Sequence, residues 1–441
     1  MLINAQFFTL KMQIDNCEKR KDVLGMKVLV IGRGGREHAV VKKFKRDGID
    51  EIFCAPGNPG MVEASLVDIE ETQAEALAAW AKENVIDLTV VGPDMAVMMG
   101  VVDAFERAGL KAFGPKKAAA YIEGSKAFAK RLMDKYGIPT AAYGEFDNTQ
   151  VEEALAFLAE QSLPIVIKAD GLAAGKGVVI CQTLEEAKVT VNEMLIDAKF
   201  GEASASIVIE EFLDGEEFSL MSFVAGDKFY PMPNARDYKR AYDHDEGLNT
   251  GGMGAHSPHP LVTDEEYQIA LEKIIKPTVD AMIAEGIPFT GILYAGLIQT
   301  AEGPKVIEFN ARFGDPETEV VLPLLETPLA PALLALLNGE EVEMKWKDEQ
   351  TVGVVLAAKG YPGADYAKGV IIKGLDALED VDVYHMGTGL IDGEVVTNGG
   401  RVLFVVASGA DLAAAREKVY AEITKIECDD LFYRSDIAGK V

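Results

Sequence analysis

From Met26 the chain reads MKVLVIGRGGREHAVVKKF, an unbroken apolar strand followed by a glycine turn and the start of a helix. A strand without polar alternation suits a sheet covered on both faces, and a turn leading straight into a helix makes that sheet parallel. The unit recurs. EIFCAPGNPG gives a strand and turn, EALAAWAKENV a helix, IDLTVVGPD a further strand and turn, and AVMMGVVDAFERAG another helix. The expectation is a doubly wound α/β domain over residues 26–125, with ligands gathered at the strands' carboxyl ends, by the turns at Gly32, Pro56 and Gly92. A dinucleotide fingerprint needs a third glycine where Glu37 stands, so a dinucleotide is disfavoured.

After EGSKAFAKRLMDKYGIP the character changes to strands mixed with helices, which predicts an α+β region over 126–345 with a small subdomain at about 145–215. From 346 to 441, VGVVLAAKGYPG, GVIIKGL and GGRVLFVVASG predict a third, strand-rich region ending in the helix DLAAAREKVYAEITKI. Residues 1–25 are charged at Lys11 and from Glu18 to Asp22 and lack a small-residue cleavage site. They are expected to be an extension outside the fold and not a signal peptide. No apolar run reaches the about 18 residues of a membrane span. The net charge of -28 argues against nucleic acid and anionic membranes as partners. The four cysteines are widely spaced, with no metal-binding pattern, as in a reduced, cytoplasmic protein.

An acidic chain that binds an anion needs local basic pockets, and KADGLAAGKGVVI, Lys168 to Ile180, offers one. It is not a P-loop: three residues separate Gly171 from Gly175, and Gly177 stands where a hydroxyl should bind magnesium. The β-branched runs on both sides predict a glycine-rich hairpin with Lys168 at its base and Lys176 at its tip. Such a hairpin is either an anion cradle or a plain surface turn.

In KVIEFNAR, strand alternation puts Val306, Glu308 and Asn310 on one face. A carboxylate and an amide oxygen two residues apart suit a magnesium–nucleotide site, with Arg312 just beyond to meet a phosphate; a solvated strand face is the alternative. Glu210, Glu211, Glu216 and Glu217 flank a strand junction, where they either meet ribose hydroxyls or reflect a generally acidic chain. NARDYKRAYDHDEGLNTGGMGAHSP reads as a long functional loop, with charges at Asp237, Lys239 and Arg240 and a TGGMG turn for close approach. Within it, His256 and His259 read as loop histidines and not as metal ligands. No nucleophilic triad is evident.

The hairpin, IEEFLDGEE and EFNARFGDPE together resemble the ATP-grasp superfamily. With GRGGREH, APGN, EGSK and NTGGMGAHSP in this order, the chain from Met26 onward resembles the glycinamide ribonucleotide synthetase family. The resemblance implies a central ATP-grasp domain whose 171–177 hairpin closes as a lid. It implies ligation of glycine to 5-phosphoribosylamine through glycyl phosphate, with ATP and magnesium, or manganese in its stead, in a monomer with this single activity.

Carried over residue by residue, the resemblance implies that Glu308 and Asn310 hold the metal, and that Lys126, Lys168, Lys176 and the glycines Gly171, Gly175 and Gly177 hold the ATP phosphates. Glu210 would meet adenine and Glu217 the ribose. Arg312, Lys239 and Asp237 would be catalytic, and Gly34, Gly35, Arg36, Asn58, Gly251 and Gly252 would bind phosphoribosylamine. Three positions depart from the family pattern: Arg33 in the first loop, the Gly92–Val97 loop, and Tyr238 where a histidine is common. The rival readings are another ATP-grasp ligase, a nucleotide sensor without turnover, and a dinucleotide oxidoreductase.

Overall fold

The computed structural model describes residues 23–171 and 177–439. Five parallel strands, β1 (Lys27–Gly32), β2 (Glu51–Pro56), β3 (Ser65–Leu66), β4 (Leu88–Val91) and β5 (Ala112–Phe113), lie in the order β3-β2-β1-β4-β5. Alternation along β1 sends Leu29 and Ile31 into one core and Val28 and Val30 into another, which is why the run is apolar throughout. Because β2 and β4 flank β1, a crevice opens past Gly32 and Gly92. Glu37 fills the space beneath those turns, where a Cβ on either glycine would overlap its carboxyl group. A dinucleotide fingerprint's third glycine would leave that space open.

The helices of this region are α1 (Gly35–Arg46), α2 (Ala74–Glu83), α3 (Asp94–Met98), α4 (Val101–Arg107) and α5 (Lys117–Gly124). AVMMGVVDAFERAG, expected as one helix, is split between α3 and α4. Gly100 takes a left-handed conformation, with φ +79°, and no α-helix continues through it. Val23 is buried beside the core under β1, so packing begins within the stretch expected to lie outside the fold. Its apolar side chain covers the sheet face that Val28 and Val30 feed. The rest of that stretch, 1–22, lies outside the described residues.

α6 (Lys126–Tyr136) leads into an antiparallel sheet of β6 (Tyr143–Asp147), β7 (Ile165–Ala169), β8 (Val178–Cys181) and β9 (Ser206–Glu211), ordered β6-β9-β7-β8. α7 (Val151–Ala159) and α8 (Leu184–Leu195) close a separate small core against it. β7 and β8 are the predicted hairpin, paired from Ile165 with Cys181 to Lys168 with Val178. Its tip, with Gly175 and Lys176, lies outside the described residues.

The chain continues through β10 (Glu216–Ala225), β11 (Lys228–Pro231), β12 (Arg236–Asp237), β13 (Arg240–Tyr242), β14 (Glu246–Asn249) and β15 (Gly254–Ser257). The segment read as one long loop is therefore two short pairings, β12 with β15 and β13 with β14. α9 (Asp264–Ala270) and α10 (Lys276–Ala284) precede the long hairpin of β16 (Thr290–Thr300) and β17 (Gly303–Asn310). The central sheet is ordered β11-β10-β16-β17. Phe218, Leu220 and Leu293 share a core with α9, α10 and the first domain, so the sheet is packed directly onto that domain.

α11 (Glu317–Val321) and α12 (Leu329–Leu337) lead to β18 (Gln350–Ala358), β19 (Asp382–His385), the hairpin β20 (Thr388–Ile391) and β21 (Glu394–Thr397), β22 (Arg401–Gly409), α13 (Leu412–Ile423) and β23 (Leu431–Phe432). The C-terminal sheet runs β12-β15-β18-β22-β19, so it recruits β12 and β15 from the central region. GVIIKGL, expected as a strand, makes only the isolated bridges at Ile371 and Lys373. One face of this sheet packs under α13, and the other joins Phe404 and Val406 to the first domain's core. Among the described residues no helix is long and apolar enough to cross a membrane.

Candidate active site

At the end of β7 the chain must turn sharply, and Asp170 holds the turn. Its carboxylate accepts from Ala127 N (3.1 Å), Ser125 Oγ (3.0 Å) and Ser206 Oγ (3.0 Å), which ties the glycine loop to the N-terminus of α6. Ser125 in turn caps α6 by accepting from Phe128 N at 3.0 Å. This anchoring puts Lys126 at the first helical position, facing Lys168 across a narrow cavity that Lys130, Glu210, Ile307 and Glu308 also line.

Lys168 and Glu210 are both nearly sealed from solvent. The Lys168 ammonium lies 2.9 Å from the Glu210 carboxylate and donates to the Ile307 carbonyl at 2.9 Å. Lys130 reaches the same carboxylate at 3.3 Å and donates to Thr140 Oγ1 at 2.8 Å. Burial lowers the Lys130 ammonium to about 8 and Lys168 adds to the effect, against the pull of Glu210. Glu210 Oε1 is enclosed and has no hydrogen-bond partner among the described residues. An orphaned acceptor at the wall of a cavity is an invitation to a ligand N–H.

β17 departs from plain alternation. Gly296 pairs with Glu308 but Leu297 pairs with Val306, so Ile307 is a bulge residue. Val306 therefore shares the apolar core with Phe309, three positions on, and is not on the face it was expected to share with Glu308 and Asn310. Beyond the bulge those two keep a common face. Burial raises the Glu308 carboxyl, but Lys126, Lys239, Lys168 and Arg312 together hold it below the ordinary range. Asn310 Oδ1 accepts from Arg312 Nη2 at 3.0 Å, and Arg312 lies 3.3 Å from Glu123. Glu123 also accepts from Ala311 N at 2.7 Å, which fixes the chain where the strand ends.

An ionised carboxylate and an amide oxygen form a hard-oxygen pair that suits a divalent cation. Among the described residues no group of three or more histidine, cysteine or acidic side chains could hold a metal by itself, so phosphates and water must complete any such shell.

Lys239 donates to Glu217 at 2.6 Å, so the residues expected to serve the reaction and the ribose meet each other. Burial pushes the neighbouring Asp237 carboxyl up to about 7; Glu317 and Glu217 add to this, and Lys239 opposes it. Glu317 is itself buried and accepts from Tyr294 Oη (2.8 Å) and Ser219 Oγ (3.0 Å).

The crevice of the first domain forms the other end of the site. Glu37 accepts from Gly34 N at 2.6 Å and from Arg36 Nε at 2.7 Å, and Arg36 also donates to the Phe313 carbonyl at 3.3 Å. Arg401, from the C-terminal sheet, donates to the Gly251 carbonyl at 2.7 Å and lies 2.7 Å from Asp315. Gly251 and Gly252 are packed so tightly that a Cβ would meet Arg401 at 2.9 Å or Pro316 at 2.5 Å. Gly34, Gly35, Arg36, Gly251 and Gly252 thus converge, together with residues the sequence reading did not name: Asp315, Glu319 and Arg401. Asp315 lies within a quoted motif, but Arg401 has no signal except the fold that brings it there.

Two of the three departures from the family pattern, Arg33 and Tyr238, make defined contacts. Arg33 pairs with Glu70 and, at 3.6 Å, with Glu71. Tyr238 Oη accepts from Ala438 N at 3.0 Å and meets His256 Nδ1 at 3.3 Å, and His256 Nε2 meets His259 Nδ1 at 3.0 Å. Both histidines are buried, His256 on β15, and burial lowers them to about 3 and about 4. Both are neutral and buried; His256 sits on a strand where a loop was expected, whereas His259 lies in the loop that follows it.

Three family models match the chain: the phosphoribosylglycinamide synthetase N domain over residues 26–123, its ATP-grasp (A) domain over 124–318 and its C domain over 351–440. The phosphoribosylamine–glycine ligase of Halalkalibacterium halodurans is 52% identical over 418 residues, 94% of this chain and 97% of that one. That of Listeria innocua is 52% identical over 421 residues, 94% of this chain and 100% of its own length. The crystal structure of phosphoribosylamine–glycine ligase from Thermotoga maritima matches with a TM-score of 0.80 at 34% identity, covering 93% of this chain and 100% of that one. A biotin carboxylase domain from Hydrogenobacter thermophilus matches with a TM-score of 0.73 at 16% identity, a likeness of fold alone.

Proposed function

The chain belongs to the phosphoribosylglycinamide synthetase family, and on that premise we propose how its own residues carry out the reaction. It is a ligase of the ATP-grasp type that forms a carbon–nitrogen bond between glycine and 5-phosphoribosylamine in purine biosynthesis, using ATP and a divalent metal ion. A glycine carboxylate oxygen attacks the γ-phosphorus of ATP, and ADP leaves. The amine of phosphoribosylamine then attacks the carbonyl of glycyl phosphate, phosphate leaves, and the nitrogen gives up a proton. No protein nucleophile is required, so catalysis rests on positioning and on neutralising charge.

The observation that carries this reading is the single cavity lined by Lys126, Lys168, Glu210 and Glu308. The orphaned Oε1 of Glu210 suits the adenine amino group, and Lys126 and Lys168 suit the phosphates. Gly171 and the hairpin tip with Gly175, Lys176 and Gly177 would close over them, and Glu217 would take a ribose hydroxyl. Glu308 and Asn310 would hold magnesium or manganese. When bound, that ion draws the phosphate oxygens together and offsets their charge. Arg312, held against Asn310 and Glu123, is poised to offset charge on the transferring phosphoryl group. Asp237, titrating near neutrality, suits the proton released by the attacking amine, with Lys239 beside it as a fixed positive charge.

Gly34, Gly35, Arg36 and Asn58 would hold phosphoribosylamine at the crevice of the first domain, its phosphate toward the N-terminus of α1, with Gly251 and Gly252 opposite. We propose that it acts as a monomer. The use of ATP and the free thiols of Cys54, Cys181 and Cys428 support a cytoplasmic setting.

The test is ADP release with magnesium–ATP and glycine, with and without phosphoribosylamine generated in place from ribose 5-phosphate and ammonia. Release that needs both substrates and yields the amide is expected. Release with bicarbonate or another acid in place of glycine would overturn the substrate, and ATP binding without release would leave only a nucleotide sensor.

A further inference from the structure

Asn58 follows β2 at the carboxyl end of the parallel sheet and is buried. Its side-chain oxygen faces the backbone N–H of Gly60 at 2.9 Å, and an N–H can only donate, so the atom there is Oδ1. The same oxygen meets Thr388 Oγ1 at 2.8 Å, so the Thr388 hydroxyl also donates to it. With its hydrogen committed, Thr388 Oγ1 must accept from His385 Nδ1 at 2.9 Å, and His385 therefore carries its proton on Nδ1. Burial lowers this imidazole to about 3, which keeps it neutral.

The backbone N–H of His385 donates to His38 Nδ1 at 2.9 Å, which leaves the His38 proton on Nε2, facing Glu63 at 3.1 Å. The polarity of the whole array is thus fixed at its two ends by groups that cannot reverse, a backbone N–H and a carboxylate. It leaves the first domain at His38, crosses to β19 and the start of β20, and returns to the first domain at Asn58. Gly60 is part of the fit, because any side chain there would overlap the His385 ring.

The consequence falls on the other half of the amide. Both acceptor sites of Oδ1 are filled from within the protein. Nδ2 has no acceptor among the described residues, yet it is not one of the enclosed, unpaired atoms, so it stays open to a ligand. A locked donor at the carboxyl end of β2 suits an oxygen of a sugar phosphate.

We propose that Thr388 and His385, supplied by the C-terminal region, are positioning residues for phosphoribosylamine, holding the Asn58 amide so that its NH2 group faces the substrate. This inference rests on the reading that Asn58 binds that substrate. The C-terminal region then acts on substrate recognition through a residue of the first domain.

The test is steady-state kinetics of Thr388→Val and Thr388→Ser, with Asn58→Ala as reference and thermal unfolding of each. Thr388→Val removes the donor to Oδ1 and frees the amide to turn. The KM for phosphoribosylamine should rise roughly tenfold, the worth of about one hydrogen bond, with kcat and the KM values for ATP and glycine unchanged. Thr388→Ser should restore the native KM, and Thr388→Val should add nothing in the Asn58→Ala background. If Thr388→Val does not fold, Thr388→Ala serves in its place. A higher KM in Asn58→Ala but not in the Thr388 variants would overturn the positioning role alone. An unchanged KM in Asn58→Ala would overturn the reading beneath it as well. A uniform loss of kcat with a lower melting temperature would reduce the array to a joint between regions.

Discussion

The ammonium of Lys168 and the carboxylate of Glu210 lie 2.9 Å apart in a site from which water is almost wholly excluded, and Lys130 approaches the same carboxylate at 3.3 Å. One acid therefore touches two buried cations, and removing the acid is not equivalent to removing Lys168. Glu210→Ala takes away the carboxylate that both ammoniums touch, leaving Lys168 only the Glu308 carboxylate nearby, and should cost about 3–5 kcal/mol of stability. Lys168→Ala leaves Glu210 paired with Lys130 and should cost less, while raising the KM for ATP about 10–100-fold through loss of a charged hydrogen bond. Urea unfolding of the two alanine variants checks the order. A Glu210→Ala protein as stable as Lys168→Ala would contradict it.

Glu308→Ala separates activity from folding. The carboxylate is surrounded by Lys126, Lys239, Lys168 and Arg312, and each of the last three has another acid nearby: Glu217 for Lys239, Glu210 for Lys168 and Glu123 for Arg312. Removing Glu308 should therefore lower the melting temperature only modestly. Turnover should fall by about 100-fold or more, because a metal ligand contributes several kcal/mol to the transition state. Near-normal ADP release, or a protein that fails to fold, would count against the assignment.

The parts that the sequence made legible are those with local causes. β1 could be read because its residues from Val28 to Ile31 are all buried on one face or the other, and its glycine turn leads directly into α1. The hairpin of β7 and β8 could be read because its partners lie a few residues apart. By contrast, β15 pairs with β18, Gly254 opposite Val354, and nothing near residue 254 announces a partner so distant. Hence the segment read as a loop proved to be strands. The bulge at Ile307 was hidden for the same reason, since it exists only in the pairing with β16. Within the site, Glu308, Asn310 and Lys168 lie in motifs with their own signature. Asp170, Arg401 and Thr388 act through contacts that only the folded chain creates.

Tyr238→Phe tests whether the departure at this position belongs to the site or to the scaffold. The hydroxyl accepts from Ala438 N and meets His256 in the core of the C-terminal sheet, and neither side chain lines the cavity of Lys168 and Glu308. The substitution leaves a buried N–H unpaired and should cost about 1–3 kcal/mol of stability. KM values for all three substrates should be unchanged, as substrate kinetics with chemical denaturation would report. A selective rise in the KM for phosphoribosylamine would return Tyr238 to the substrate site.

Glu319 supplies a pH dependence whose sign follows from its surroundings. Its carboxyl is fully buried beside Gly35, with neither oxygen hydrogen-bonded to another of the described residues. Burial first, then Asp315, raises it well above the 4.5 of an ordinary glutamate, and Arg401 offsets this only in part. Below about 4.5 the folded and unfolded chains both hold the proton. Above it the unfolded chain releases the proton while the folded chain keeps it, so stability falls as pH rises until the folded carboxyl itself ionises. Glu319→Gln removes that drain. It should stabilise the protein at pH 8 by about 1–3 kcal/mol, the scale of an unmet buried polar group, with the gain vanishing toward pH 4.5. Urea midpoints of the two proteins at several pH values measure this directly. A gain independent of pH would mean that Glu319 shares its charge with a partner and is not held neutral by burial.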